Sequence, residues 1–123
     1  LKLFLMKQLF LFAVCFFCFA VYGKSQQNIP VSDTIKVILE NDKVKVTAYV
    51  SNPEKDICGK GKHTHAPHLS ILLTDAKVTV TTPDGKTQIY DLKAGATFWS
   101  EAETHIAINS GSKIAKAYLV ELK

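Results

Sequence analysis

Lys60-Gly61-Lys62-His63-Thr64-His65-Ala66-Pro67-His68-Leu69-Ser70-Ile71-Leu72-Leu73 is the stretch on which the reading of this chain turns. It gathers three of the four histidines into six residues, directly before an apolar run. Side chains two apart on a strand project to the same face, so His63 and His65 as strand residues would hold their imidazoles close enough to share one ion. His68 to Thr74 reads as a strand that follows them.

The same period of two recurs on both sides. Upstream, Ile35, Val37 and Leu39 alternate with Lys36, Ile38 and Glu40. After an Asn41-Asp42 turn, Val44, Val46, Ala48 and Val50 alternate with Lys45, Thr47 and Tyr49. Both are patterns of half-buried strands. Ser51 to Asp56 is a loop by its turn chemistry. Downstream, Lys77–Thr82 and Lys86–Leu92 flank the strong turn Pro83-Asp84-Gly85, and Lys93-Ala94-Gly95 breaks the chain again. Thr97–Ser100, His105–Asn109 and Ile114–Leu122 complete the series. No window after residue 23 offers a helical stripe. Strands separated by turn signals about every 8–12 residues give an all-β fold, a closed sandwich or barrel.

The 123 residues bound the architecture to one domain. Residues 1–23 have the layout of a secretory signal peptide: Lys2 and Lys7, an apolar block from Leu9 to Tyr22, then Gly23 at the expected cut. That block is shorter than the roughly 20 residues of a membrane-spanning helix. The expected organisation is a leader over 1–23, a polar arm over 24–33 and a barrel over 34–123. The exported product would sit outside the cytoplasm, periplasmic or secreted, with no membrane contact after cleavage. Cys15 and Cys18 fall in the leader, leaving Cys58 alone and excluding an internal disulfide in the product. Without Lys2 and Lys7 the chain keeps 13 lysines against 11 acidic residues. That balance, and the absence of arginine, speak against nucleic acid as a partner.

His105 lies in a second strand-like segment, sharing its face with Ala107 and Asn109. Where such a strand adjoins the first, three imidazoles converge, a set suited to zinc, iron, copper or nickel. The competing reading is a solvated face, with Lys60 and Lys62 opposing a cation. Cys58, five residues before His63, raises a Cys/His zinc or copper site. A blue-copper centre also needs an axial methionine, which the chain lacks after the leader, so Cys58 reads as a lone thiol near the rim. Phe98 and Trp99 are adjacent, so one faces inward and one outward, as core or as the wall of a pocket beside His105.

From about Val37 to Leu122 the chain resembles a small single-domain cupin of the RmlC-like jelly-roll superfamily. Gly59 or Gly61, His63 and His65 match its first motif, and Gly95, His105 and Asn109 match its second. The resemblance implies a double-stranded β-helix holding one divalent transition metal, with Fe, Zn, Mn, Ni and Cu all open. It departs from the pattern where the first motif has glutamate: Leu69 or Ser70 stands there, and Glu101-Ala102-Glu103 replaces the usual Pro-x-Gly. Two substitutes are open. His68 would need a bulge at Pro67 to turn inward, and Glu103 shares strand parity with His105. The expected ligands are therefore His63, His65, His105 and His68. Asn109, Phe98, Trp99 and Glu103 would line a pocket for a small-molecule ligand. The resemblance implies a metal-dependent oxygenase or isomerase, with a non-catalytic binding barrel as the alternative, and a homodimer formed through a strand edge or sheet face.

Overall fold

The computed structural model describes residues 33–123. The leader expected over 1–23, and the arm expected over 24–33 apart from Asp33, lie outside the described residues. Among the described residues the chain forms nine strands and no helix: β1 (Thr34–Glu40), β2 (Val44–Ser51), β3 (His63–His65), β4 (His68–Leu72), β5 (Ala76–Thr81), β6 (Thr87–Leu92), β7 (Thr97–Ser100), β8 (Glu103–Asn109) and β9 (Ala115–Leu122). The all-β reading holds there. None of these residues forms a helix long and apolar enough to cross a membrane.

The strands pair antiparallel in two sheets, ordered β1-β2-β9-β4-β7 and β3-β8-β5-β6. Local chemistry fixes the corners. Asn41 Oδ1 accepts from the amides of Lys43 (2.8 Å) and Val44 (2.9 Å), turning β1 into β2. Between β5 and β6, Gly85 takes φ +82°, a left-handed conformation that glycine adopts without a Cβ penalty.

The core lies between the sheets. Ile57, Leu72, Ala76, Val78, Ala107, Ala115 and Ala117 form one buried cluster with contributions from both. Alternation delivers them: β4 and β9 bury every second residue from their first, as a sheet with one covered face requires. Four of the seven are alanines. Two of them, Ala107 on β8 and Ala117 on β9, lie on opposite sheets and line the cavity described below, where short side chains leave room.

Two details differ from the sequence reading. β1, expected half-buried, is exposed along its whole length, with Ile35 at 60% and Leu39 at 51%. Among the described residues it is an edge strand, and an irregularity between Val37 and Leu39 interrupts its alternation, so no single face stays turned to the core. The second concerns His68. No bulge turns it inward; the chain leaves one sheet at His65 and enters the other at His68, because β3 pairs β8 whereas β4 pairs β7 and β9. Ala66-Pro67 is that crossing, and strand parity restarts after it.

Candidate metal centre

The register between β3 and β8 builds the site. His63 lies opposite His105, and His65 opposite Glu103. Opposed residues of an antiparallel pair share a face, and so do residues two apart, which places all four side chains in one patch. The His63 ring stands 4.7 Å from that of His65 and 4.8 Å from that of His105, centroid to centroid. His68 arrives from the opposite sheet and brings its ring to 5.0 Å from His65. His65, His68 and His105 are buried.

The His63 and His65 rings are oriented by what their Nδ1 atoms meet. His63 Nδ1 lies 2.8 Å from the Gly61 carbonyl, which can only accept, so Nδ1 carries the hydrogen and Nε2 keeps its lone pair. Gly59 makes room for this ring: a Cβ there would lie 2.6 Å from His63 Cδ2. His65 Nδ1 faces Glu121 Oε1 at 3.4 Å, and Glu121 is held in turn by Lys45 Nζ at 3.6 Å. His65 Nε2 is buried without a hydrogen-bond partner. His105 Nδ1 stands 3.5 Å from Glu103 Oε1 and, like His65 Nε2, is buried without a hydrogen-bond partner. Carboxylates and carbonyls behind the far nitrogens are the arrangement that fixes metal-binding histidines.

Cys58 corrects the sequence reading. Its Sγ is no lone rim thiol: it lies 3.3 Å from His63 Nε2 and 3.3 Å from His105 Nε2. One donor atom each from Cys58, His63, His65 and His105 all lie within 4.8 Å of one another. In a tetrahedral zinc site, with Zn–S near 2.3 Å and Zn–N near 2.0–2.1 Å, sulfur and nitrogen are about 3.6 Å apart. The Cys58 contacts approach that edge length. The loop before β3 makes them possible by running beside β8, where Asp56 bridges Ile108 and the Ile57 amide donates to the Ala107 carbonyl. His68 and Glu103, the two substitutes for the missing glutamate, stand outside this group and face each other, His68 Nε2 to Glu103 Oε1 at 3.7 Å.

Protonation favours a cation. Burial, with His63 nearby, pushes the His65 pKa below its usual value, and burial does the same for His105 against the opposing pull of Glu103. Both rings are thereby held in the neutral form that ligates metals. Burial, with help from Glu103 and Asp56, pushes the Cys58 thiol up to about 12. A bound cation reverses that preference, since a coordinating thiol gives up its proton. The buried, unpartnered His65 Nε2 and this donor spacing fit a transition metal.

Comparison with known folds decides the architecture. A cupin domain from Bordetella pertussis Tohama I superposes with a TM-score of 0.67 at 23% identity, over 75% of this chain and 94% of that one. An RmlC-like cupin from Methanocaldococcus jannaschii with a double-stranded β-helix gives 0.61 at 15% identity, over 78% and 84%. The chain has the cupin fold. The polyketide cyclase RemF from Streptomyces resistomycificus shares it, with a TM-score of 0.55 at 15% identity, over 73% and 64%. No family model and no curated protein matches the sequence.

Beside the cluster the cupin barrel encloses a cavity of about 420 Å³, walled by Ile57, Leu72, Val78, Leu92, Phe98 and Leu119 among others, with Cys58 and His105 at its polar end. The expected pocket residues divide. Phe98 and Glu103 line the cavity; Trp99 does not, and its Nε1 donates to Glu101 Oε1 at 2.8 Å. Asn109 is likewise absent from the lining. It is fully buried, its Nδ2 donating to the carbonyls of Ser51 (3.0 Å) and Lys113 (2.9 Å) while Oδ1 accepts from the Gly111 amide (3.1 Å). With all these bonds made to backbone, Asn109 clamps the end of β8 and has no free group for a ligand.

Proposed function

We propose that this chain is an exported cupin barrel that binds one divalent transition metal through His63, His65, His105 and Cys58 and acts as a metal-dependent oxygenase or isomerase on a small organic molecule. The observation that carries this reading is the convergence of four ligand atoms, one of them the buried and unpartnered His65 Nε2, at the polar end of a largely apolar cavity. Three imidazoles and a thiolate favour zinc, iron, copper or nickel over manganese, which prefers oxygen donors. Bound there, the ion would supply a Lewis acid or a meeting point for dioxygen and substrate. The chain's own groups would do the rest. Phe98 and the aliphatic wall exclude water, while Glu103 and His68 stand ready to hold a proton beside His105. That a cupin-fold neighbour is a polyketide cyclase supports chemistry on organic substrates in such a barrel.

The test is metal analysis of the purified protein. One ion per chain is expected, lost when His63→Ala and His65→Ala are combined in a variant that still folds by circular dichroism. A metal-free wild-type protein that also fails to take up added zinc, iron, copper or nickel overturns the reading. Oxygen-uptake and isomerisation screens on the loaded protein then address catalysis.

One observation favours a second reading, a non-catalytic metal- or ligand-binding barrel. Four protein donors would complete a tetrahedron, and closed sites of that kind are structural where catalytic ones keep a position open. Export predicts a mature N-terminus at Lys24, readable by mass spectrometry. Pairing of two chains through the exposed apolar edge β1 is the assembly we propose. Sedimentation showing only monomer at micromolar concentration would refute it.

A further inference from the structure

An antiparallel sheet with one face in water carries its polar residues on that side and turns its apolar ones to the core. The five-stranded sheet does the opposite. β2 buries Thr47, Tyr49 and Ser51 while Val46, Ala48 and Val50 point outward, and β4 buries His68 and Ser70 while Leu69 and Ile71 point outward. On β9, Tyr118 and Val120 alternate with buried Ala117 and Leu119 and so take the outer side as well. Opposed residues share a face, and the register joins these positions into rows. Leu39, Val46, Val120, Leu69 and Trp99 stand opposite one another in turn, so one apolar row crosses all five strands. Its two ends are exposed, Leu39 at 51% and Trp99 at 47%. Ala48, Tyr118 and Ile71 form a second row beside it. Charge enters this face on the strands only as Lys36, opposite Ala48, and Lys116, opposite Val50.

The four-stranded sheet follows the ordinary rule. Its outward residues mix Ile89, Ile106 and Ile108 with Lys77, Asp91, Thr64 and Thr104. That sheet packs on the inner side of the first, so among the described residues no strand lies over the apolar rows. Size and composition point to what covers them. Five strands about 4.8 Å apart, of about six residues rising about 3.3 Å each, present on the order of 500 Å². Two such faces together reach the roughly 1,000 Å² at which a specific interface begins. Residues 24–32 offer only Ile29, Pro30 and Val31 as apolar cover, too little for both rows. A face uncharged at its centre can meet its own copy without setting like charges against each other, as a two-fold pairing requires.

We propose that the outer face of the five-stranded sheet is the contact between two copies of this chain, packed sheet on sheet about a two-fold axis with the row from Leu39 to Trp99 at its centre. Sheets joined in this way lie about 10 Å apart, the spacing of a β-sandwich. The inference deepens the pairing of chains proposed above, on which it rests, by placing the contact on the face of which β1 is the margin, and its test separates edge from face.

The experiment is sedimentation of the full chain and three variants, each checked for folding by circular dichroism. The wild type is expected to be a dimer at micromolar concentration. Val120→Lys sets a charge at the middle of the face, solvated in the monomer but buried without a partner in the dimer, and is expected to weaken association about 100-fold or more. Ile106→Lys, on the outer face of the other sheet, is expected to leave the dimer intact. Ile38→Pro removes an edge donor at the irregularity in β1 and is likewise expected to leave a face-packed dimer intact. A dimer lost in Ile38→Pro and kept in Val120→Lys sinks the face and preserves the edge. A monomeric wild type sinks both, whether the face is then bare or covered by residues 1–32. Should Val120→Lys fail to fold, attenuation of wild-type methyl signals by a soluble nitroxide decides: Leu39 and Val120 shielded relative to Ile89 and Ile106 is expected, and equal attenuation of both pairs overturns the proposal.

Discussion

At Gly59 the site depends on a missing atom. The His63 ring occupies the place where a Cβ would stand, so Gly59→Ala must displace a ligand while leaving the core untouched. Metal affinity is expected to fall about 10–100-fold, the cost of disturbing a group that orients a ligand, with thermal unfolding of the metal-free protein little changed; zinc titration against a chelating dye measures it. Titration of the same cluster shapes stability. His65 and His105 have pKa values lowered in the folded chain, so the unfolded state takes up their protons first, and the metal-free protein should lose stability as pH falls below about 6.5. Cys58 and Tyr49 are both raised to about 12, so the unfolded state releases their protons first and stability should also fall as pH rises from about 9 towards 12. Melting temperatures across this range should trace a dome, and Cys58→Ser should delay its alkaline descent. The shared face of His63 and His65 was legible because period-two geometry is local. Cys58 was not, since its approach to His105 depends on a loop lying along β8, a contact between residues 47 positions apart.

Among the elements, the strand β8 carries the most information. It presents Glu103, His105, Ala107 and Asn109 on one face, and its first half serves the cluster while its end is tied down. Asn109→Ala would leave the carbonyls of Ser51 and Lys113 without their side-chain donor. A loss on the order of 1–3 kcal/mol is expected, read by urea unfolding, with zinc stoichiometry retained. Retained stability would mean that water replaces the amide. The resemblance assigned Asn109 to the pocket because its position in the motif is right; only the turn at residues 110–113, which its amide holds closed, reveals the other task. β1 shows the converse limit. Its alternation is real in the sequence, but alternation states which residues share a face and leaves open whether anything covers that face.

For the whole molecule, the fold was legible because turns and periodicity repeat along the chain, while of the expected pocket only Phe98 and Glu103 were placed rightly, because most of the cavity wall comes from side chains on strands far apart in sequence. Leu72 and Ala117 illustrate this: one wall residue fills, the other leaves space. Leu72→Ala should cost about 2–5 kcal/mol while enlarging the chamber and so easing entry of bulkier probes. The crossing at Ala66-Pro67 has a mechanical sequel. The ligands His63, His65 and His105 belong to one sheet, and His65 Nδ1 faces Glu121 Oε1 of the other at 3.4 Å, so an ion gripped by the first plate is braced against the second through that carboxylate. Amide hydrogen exchange should therefore slow together at Leu72 and at Ala107 when zinc is added, although neither residue can touch the ion.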